Sequence, residues 1–122
     1  SFDHNGAGKD VISGGTGADT FFFLQKTEGG DTITDFTSGV DRIYFSQYWF
    51  GLPFGGAAEI DPSRFVSGAS PVATQAGVGT ILFDTTTHQL YYDEDGSGAL
   101  APILMATFSN NVNLTVHDIW TA

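Results

Sequence analysis

Glycine and aspartate recur in phase near the start of the sequence. Residues 5–22 form two blocks of nine, NGAGKDVIS and GGTGADTFF. Both blocks have glycine at the second and fourth positions, aspartate at the sixth and an apolar residue at the eighth. Because glycine reaches backbone dihedrals that other residues resist, such a turn can aim several carbonyl oxygens inward. The pattern therefore predicts loops that offer carbonyl and carboxylate oxygens to a shared ligand.

These oxygen atoms suit calcium. It takes roughly six to eight oxygen ligands, many of them backbone carbonyls. We expect the carbonyls of the first, second and fourth positions and the sixth-position carboxylate to supply about half of a coordination shell, with a neighbouring loop supplying the rest. The predicted ligands in the two blocks are Asn5, Gly6, Gly8, Asp10, Gly14, Gly15, Gly17 and Asp19.

The composition agrees with a cation as the partner. The 122 residues include 14 Asp plus Glu against 4 Lys plus Arg, for a formal net charge of -10. Such a chain is repelled by nucleic acid phosphates and anionic lipid, so we expect neither nucleic acid binding nor membrane insertion. The absence of cysteine excludes disulfides and thiolate metal sites. The first residues lack the pattern of a signal peptide, so the protein either stays inside the cell or carries its export signal elsewhere.

Frequent turn residues and scarce helix signals predict a mostly β chain that forms a single domain over residues 1–122. The segments TILFD and QLYYD around TTTH predict a hairpin. Further strands are expected near 32–34 and in PILMATF, and RIYFSQYWF fits either a buried strand or a short helical turn. Asp61 and Pro62 predict the cap and first residue of one helical turn, and a loop is expected at 66–79. The hairpin residues expected to face the core are Ile81, Phe83, Leu90 and Tyr92.

The two blocks resemble the GGxGxD nonapeptide of the RTX family. GGTGADTFF matches that pattern in full, and NGAGKDVIS departs from it only at Asn5. The segments GGDTITDFTSGVDRIYFS, ILFDTTTHQLYYDEDGSGALAPILMATF and NLTVHDIWTA are similar to the region that follows the repeats in secreted RTX proteins, including serralysin-type proteases. The resemblance covers nearly the whole chain, and the nonapeptides are its specific part.

The resemblance implies a short parallel β-roll stub at about residues 5–24, continuing into a β-rich, sandwich-like cap and secretion-signal region at about 25–122. In the family, consecutive nonapeptides lie on opposite edges of the roll, and each loop shares calcium with a loop about two blocks away. Two blocks cannot complete an internal site by themselves. Asp31 and Asp35 are the best candidates to complete the last sites.

The function that the resemblance implies is a calcium-binding C-terminal module of a bacterial extracellular protein. It would be exported by type I secretion machinery through an uncleaved C-terminal signal, and it would fold on calcium after export. One alternative is a calcium-stabilised adhesive or carbohydrate-binding module, with a glycan or cell-surface ligand stacking on exposed rings among Tyr44, Tyr48, Trp49 and Phe50. Another is the non-catalytic tail of a secreted protease, lipase or epimerase.

No catalytic motif supports an enzyme activity in this chain. Neither HExxH nor GxSxG occurs, and His4, His88 and His117 do not cluster in the sequence. The segment DEDGSG places Asp93, Asp95 and Ser97 at the first, third and fifth positions of an EF-hand-like loop. Leu104 stands where that loop needs a glutamate, so a polar hairpin turn is the preferred interpretation and calcium binding the alternative.

Overall fold

Successive short strands at the start of the chain alternate between two sheets in this computed structural model. Strands β1 (Phe2–Asp3), β3 (Thr20–Phe23) and β5 (Arg42–Phe45) pair side by side in one sheet. Strands β2 (Val11–Ile12) and β4 (Asp31–Ile33) pair in the other. All of these pairs are parallel. The chain therefore coils, and each strand lies beside the strand two before it.

The rest of the fold is also built mainly from strands. The structure describes residues 2–3, 11–13, 15, 17–23, 30–48, 50, 52, 55–96 and 101–122. The remaining strands are β6 (Ala58–Glu59), β7 (Phe65–Gly68), β8 (Thr80–Asp84), β9 (Gln89–Asp93), β10 (Ile103–Phe108) and β11 (Ile119–Thr121). Within these ranges the helical structure consists of 3-10 turns at Pro62–Arg64 and Val116–Asp118, and no helix is long and apolar enough to cross a membrane. The predicted mainly β fold, with parallel strands at its start, is confirmed.

The last strands add a further layer to the coil. Strand β10 pairs in parallel with β4, and β11 pairs in parallel with β5. Phe108 is in register with Ile33, and Ile119 is in register with Ile43. The chain therefore leaves the coil after β5, forms β6 to β9, and returns to both sheets with its final strands.

The inserted segment contains the predicted hairpin. Strands β8 and β9 are antiparallel, and β9 pairs with β10, which joins the hairpin to the coil. Asp61 caps the first 3-10 turn as predicted, because its Oδ1 accepts the Ser63 N–H at 2.9 Å. The loop predicted from residue 66 is wrong at its start, since β7 runs to Gly68 and pairs in parallel with β8. A strand of four residues such as β7 is too short to show a clear alternation of apolar and polar side chains, and its partner β8 does not follow it directly in the sequence.

One apolar core lies between the sheets. The eighth-position residues of the two nonapeptides, Ile12 and Phe21, are both buried in it. The strand pairs extend each position into a buried row: Ile12, Ile33 and Phe108 in one sheet, and Phe21, Ile43 and Ile119 in the other. The four hairpin residues predicted to face the core, Ile81, Phe83, Leu90 and Tyr92, are also buried.

Ile43 is the middle member of its row, so its truncation should weaken the whole stack. Ile43→Ala should lower the free energy of unfolding by about 2–5 kcal/mol, because the stacked layers cannot fully close the cavity. Urea denaturation at a fixed, saturating calcium concentration measures the change. Val72→Ala is the control: Val72 is 71% exposed, and its truncation should change stability by less than about 0.5 kcal/mol. Equal losses in the two variants would contradict the described core.

Candidate functional site

Two loops lie on one another at one edge of the coil. The loop at 13–19 joins β2 to β3, and the loop at 34–41 joins β4 to β5. At one end the Thr34 N–H donates to the Ile12 carbonyl at 3.0 Å, and at the other the Arg42 N–H donates to the Asp19 carbonyl at 2.9 Å. Thr20 is paired with Arg42, so the preceding residue, Asp19, lies level with Asp41. Strand register thus stacks two acidic residues from successive turns of the coil.

The loop at 34–41 repeats a local feature of the second nonapeptide. Gly17 precedes Asp19 by the same spacing as Gly39 precedes Asp41, and both glycines have φ of +85°. That left-handed conformation favours glycine. Asp41 was not among the ligands predicted from the sequence. The signal was present in the Gly-x-Asp spacing followed by an apolar strand.

Carboxylates join these two loops. Asp41 accepts the Asp19 N–H through Oδ1 and the Thr37 N–H through Oδ2, each at 2.8 Å. Asp35 Oδ2 accepts from Ser13 Oγ and from the Gly15 N–H, also at 2.8 Å. The structure therefore places the predicted residue Asp35 beside the predicted residue Gly15, in the neighbouring loop.

A third layer continues this edge, and its acid was not predicted from sequence. Asp118, which is 1% exposed, accepts the Gly39 N–H at 2.8 Å and the Ser38 hydroxyl at 2.6 Å. It also accepts the Thr115 N–H at 2.9 Å, within a capping box at the start of its own 3-10 turn. The segment near the C-terminus is thereby bound to the loop at 34–41.

The acidic residues that begin or directly precede β3, β4 and β5 are buried. Asp19 is 4% exposed, Asp31 is 0% and Asp41 is 3%. Asp31 precedes Thr32, which pairs with Val11, just as Asp10 precedes Val11 in the sequence. A buried carboxylate needs compensating hydrogen bonds or a counter-charge. An all-oxygen set of carboxylates and backbone groups fits a hard cation such as calcium better than a transition metal.

The structure does not place several of the predicted ligands. Asn5, Gly6, Gly8, Asp10, Gly14 and Ser97 lie outside the described residues. In the part of the chain that is described, no three His, Cys, Asp or Glu side chains form a group that could hold a metal ion.

Asp93 and Asp95 lie in a different place, at the turn that follows β9. Asp93 is 5% exposed, and its Oδ1 has no hydrogen-bond partner among the described residues. Burial raises the pKa of the Asp93 carboxyl group, and a side-chain hydrogen bond and the charge of Asp95 raise it further. The two acids therefore crowd one another in a poorly solvated turn.

The two histidines in the described part of the chain have separate partners. His88 Nδ1 lies 3.1 Å from the Val112 carbonyl oxygen, and its ring packs near Phe83. His117 Nδ1 lies 3.0 Å from Glu59 Oε1 at the surface. The two rings therefore have different neighbours and do not form a shared site.

The aromatic residues considered for glycan stacking are mostly occupied by protein contacts. The Tyr44 ring stacks on Phe22, with centroids 5.8 Å apart and planes 2° from parallel. Phe50 is buried, with edge contacts to Phe45 and Tyr92. Tyr48 is 68% exposed, while Trp49 lies outside the described residues. A sugar needs an open ring face, and among the described rings of this set Tyr48 is the one that is largely exposed.

The alternating parallel strands and their stacked acidic loops define a β-rich domain with a parallel coil at its start. A profile of the family described as peptidase M10 serralysin C terminal matches residues 3–67 of this chain. The match covers more than half of the 122 residues, and the chain belongs to this family. Domains of this family are C-terminal regions of type I secreted extracellular proteins and generally bind calcium. No curated protein sequence matches the chain significantly.

The contacts of Asp118 predict a stabilising role. In Asp118→Asn, an NH₂ group would replace one carboxylate oxygen and face hydrogen-bond donors from Ser38 and Thr115. We expect the free energy of unfolding to fall by about 1–3 kcal/mol, the usual cost of leaving such groups unsatisfied. Chemical denaturation at constant calcium measures it. The matched control is Glu59→Gln, at a side chain that is 43% exposed; a loss no larger than that of this control would contradict the role assigned to Asp118.

Proposed function

We propose that this chain is the calcium-binding, non-catalytic C-terminal module of a type I secreted bacterial protein, that it folds on calcium after export, and that it caps the β-roll. The observation that carries the proposal is the register between successive turns. It stacks Asp19 on Asp41, each two residues after a left-handed glycine, as a calcium site shared between repeat loops requires.

The proposed ligands come from both layers at each edge. At the described edge, the Asp19 carboxylate and carbonyl groups of the second nonapeptide would face carbonyl groups of the loop at 34–41. Asp35 and Asp41 hold that loop in place through their hydrogen bonds to the first layer. At the opposite edge, Asp10 and Asp31 are the corresponding sixth-position acids by strand register. Calcium accepts such mixed sets of carboxylate and carbonyl oxygens with flexible geometry.

Electrostatics makes the folded state depend on a cation. A formal net charge of -10 opposes compaction, and buried carboxylates at the loop ends concentrate that charge. Calcium that binds only the folded chain adds RT ln(1 + [Ca]/Kd) to its stability, about 1.4 kcal/mol per site at a tenfold excess. Extracellular-type sites have Kd values of roughly 10⁻⁴ to 10⁻³ M, so external calcium fills them and cytosolic calcium does not.

The final strands supply the capping part of the proposal. Without β10 and β11, strands β4 and β5 would present open edges on which further strands could pair. Strand β10 covers β4 and is itself covered by the antiparallel β9, while β11 covers β5 and is covered by the antiparallel β6. An antiparallel partner interrupts the parallel repeat, and this supports the view that the coil ends here.

Calcium removal tests the folding switch. We expect a chelator to lower the thermal midpoint sharply and to reduce the β-sheet signal in far-UV circular dichroism. The physical reason is that the stacked carboxylates lose their counter-ion. The melting curve should recover when calcium, but not an equal ionic strength of sodium chloride, is restored. Identical melting curves with calcium and with chelator would rule out the switch.

Removal of the sixth-position acids tests the proposed ligands. Asp10→Ala combined with Asp19→Ala should reduce the number of calcium ions bound per chain, as measured by isothermal titration calorimetry. The control combines Glu59→Ala with Asp84→Ala, which removes the same formal charge outside the repeats and should keep the wild-type stoichiometry. An unaltered calcium count in the repeat variant would show that these acids are not ligands.

A further inference from the structure

The turn after β9 contains a carboxylate oxygen whose burial is otherwise unexplained. Asp93 is 5% exposed, and its Oδ1 has no hydrogen-bond partner in the described ranges. A solvated polar turn, the preferred interpretation of this segment from sequence, would leave such a side chain in water. Burying a carboxylate oxygen without a partner is costly, so its position needs a compensating group.

A second acid shares this space. The carboxyl group of Asp95 lies within hydrogen-bonding reach of Asp93. The Asp93 backbone is fixed by its antiparallel pairing with Thr80, which is also buried. Two carboxyl groups held this close on a fixed backbone attract a cation more strongly than either would alone.

Backbone carbonyl groups from another segment converge on the same turn. Ala76 forms a β-bridge with Gly96, and the Gly77 N–H donates to the Asp95 carbonyl at 2.9 Å. The carbonyl oxygens of Gln75 and Val78 occupy the space where a Cβ on Gly96 would stand. Gly96, at φ of +59°, is therefore required both for its conformation and for this close approach.

We propose that Asp93, Asp95 and backbone carbonyls of the segment at 75–78 form a second calcium site, separate from the repeat loops. The donor set contains only oxygen, which selects a hard cation. It combines carboxylates with carbonyl groups on a turn, which calcium tolerates, whereas magnesium demands near-octahedral geometry and retains several waters. Calcium at this site would link the loop before β8, which is rich in glycine and alanine, to the end of the hairpin. It does not depend on calcium binding at the nonapeptides.

Calcium titration calorimetry on the full chain tests this site. Asp93→Asn keeps the size of the side chain and removes its charge, so we expect one calcium ion fewer per chain. The matched control is Asp84→Asn, at the opposite end of the same hairpin, where the carboxylate accepts the Thr86 N–H in the β8–β9 turn. The control should bind as many ions as the wild type. An unchanged count and affinity in Asp93→Asn would overturn the proposal.

A second variant keeps the test decisive if Asp93→Asn fails to fold by circular dichroism. Asp95→Asn should then weaken one calcium-binding event at least tenfold, and unchanged affinity there would overturn the proposal. The two classes of site also fail separately. Loss of one ion in Asp93→Asn, with none lost in the Asp10 and Asp19 double variant, would leave this site standing and reject the repeat ligands. The reverse result would reject this site alone.

Discussion

Stacked loops at the edge of a parallel coil must satisfy their backbone N–H groups, and carboxylates do so here. Strand ladders satisfy the strands, but the loops between them have no such regular partner. In this chain an acid from each later layer accepts N–H groups of the layer before it: Asp35 and Asp41 bind the loop at 13–19, and Asp118 binds the loop at 34–41. Hydrogen bonds to a charged acceptor are stronger than neutral ones. The same choice accumulates negative charge along one edge, where the proposed calcium would offset it.

The order of the strands makes this stack complete only late in the sequence. Strands β4 and β5 receive their second partners from β10 and β11, which follow the whole inserted segment of β6 to β9. Pairing across such a separation carries a large loop-closure cost before any contact repays it. A chain with strong charge repulsion and distant pairings is poorly placed to fold without help. A cation that offsets the charge repulsion would lower one of the two costs that oppose the pairing of these distant strands.

Local patterns in the sequence predicted much of this structure, but they did not predict the pairing of strands that are far apart in the chain. The β8–β9 hairpin, its four inward residues and the Asp61 cap depend on neighbouring residues, so short-range chemistry was sufficient. The parallel pairing of β7 with β8 and the return of β10 and β11 to the coil depend on residues far apart in the chain. The nonapeptide pattern singled out Asp19, which lies at the edge formed by the stacked loops. Asp41 was overlooked because its block lacks the leading glycines, and Asp118 because its geometry comes from a 3-10 turn rather than from a repeat.

The spacing between aspartate and core residue explains why the acids are buried. Three acids stand two residues before a buried apolar residue: Asp19 before Phe21, Asp31 before Ile33 and Asp41 before Ile43. Because side chains alternate along extended backbone, each acid points to the same inner side as its core residue, at or directly before the start of the strand. Packing of the core thus fixes the side of the sheet on which each carboxylate lies. Asp118 directly precedes buried Ile119, so this rule cannot orient it. Its 3-10 turn and capping box orient it instead, and the last layer reaches the same edge by a different local geometry.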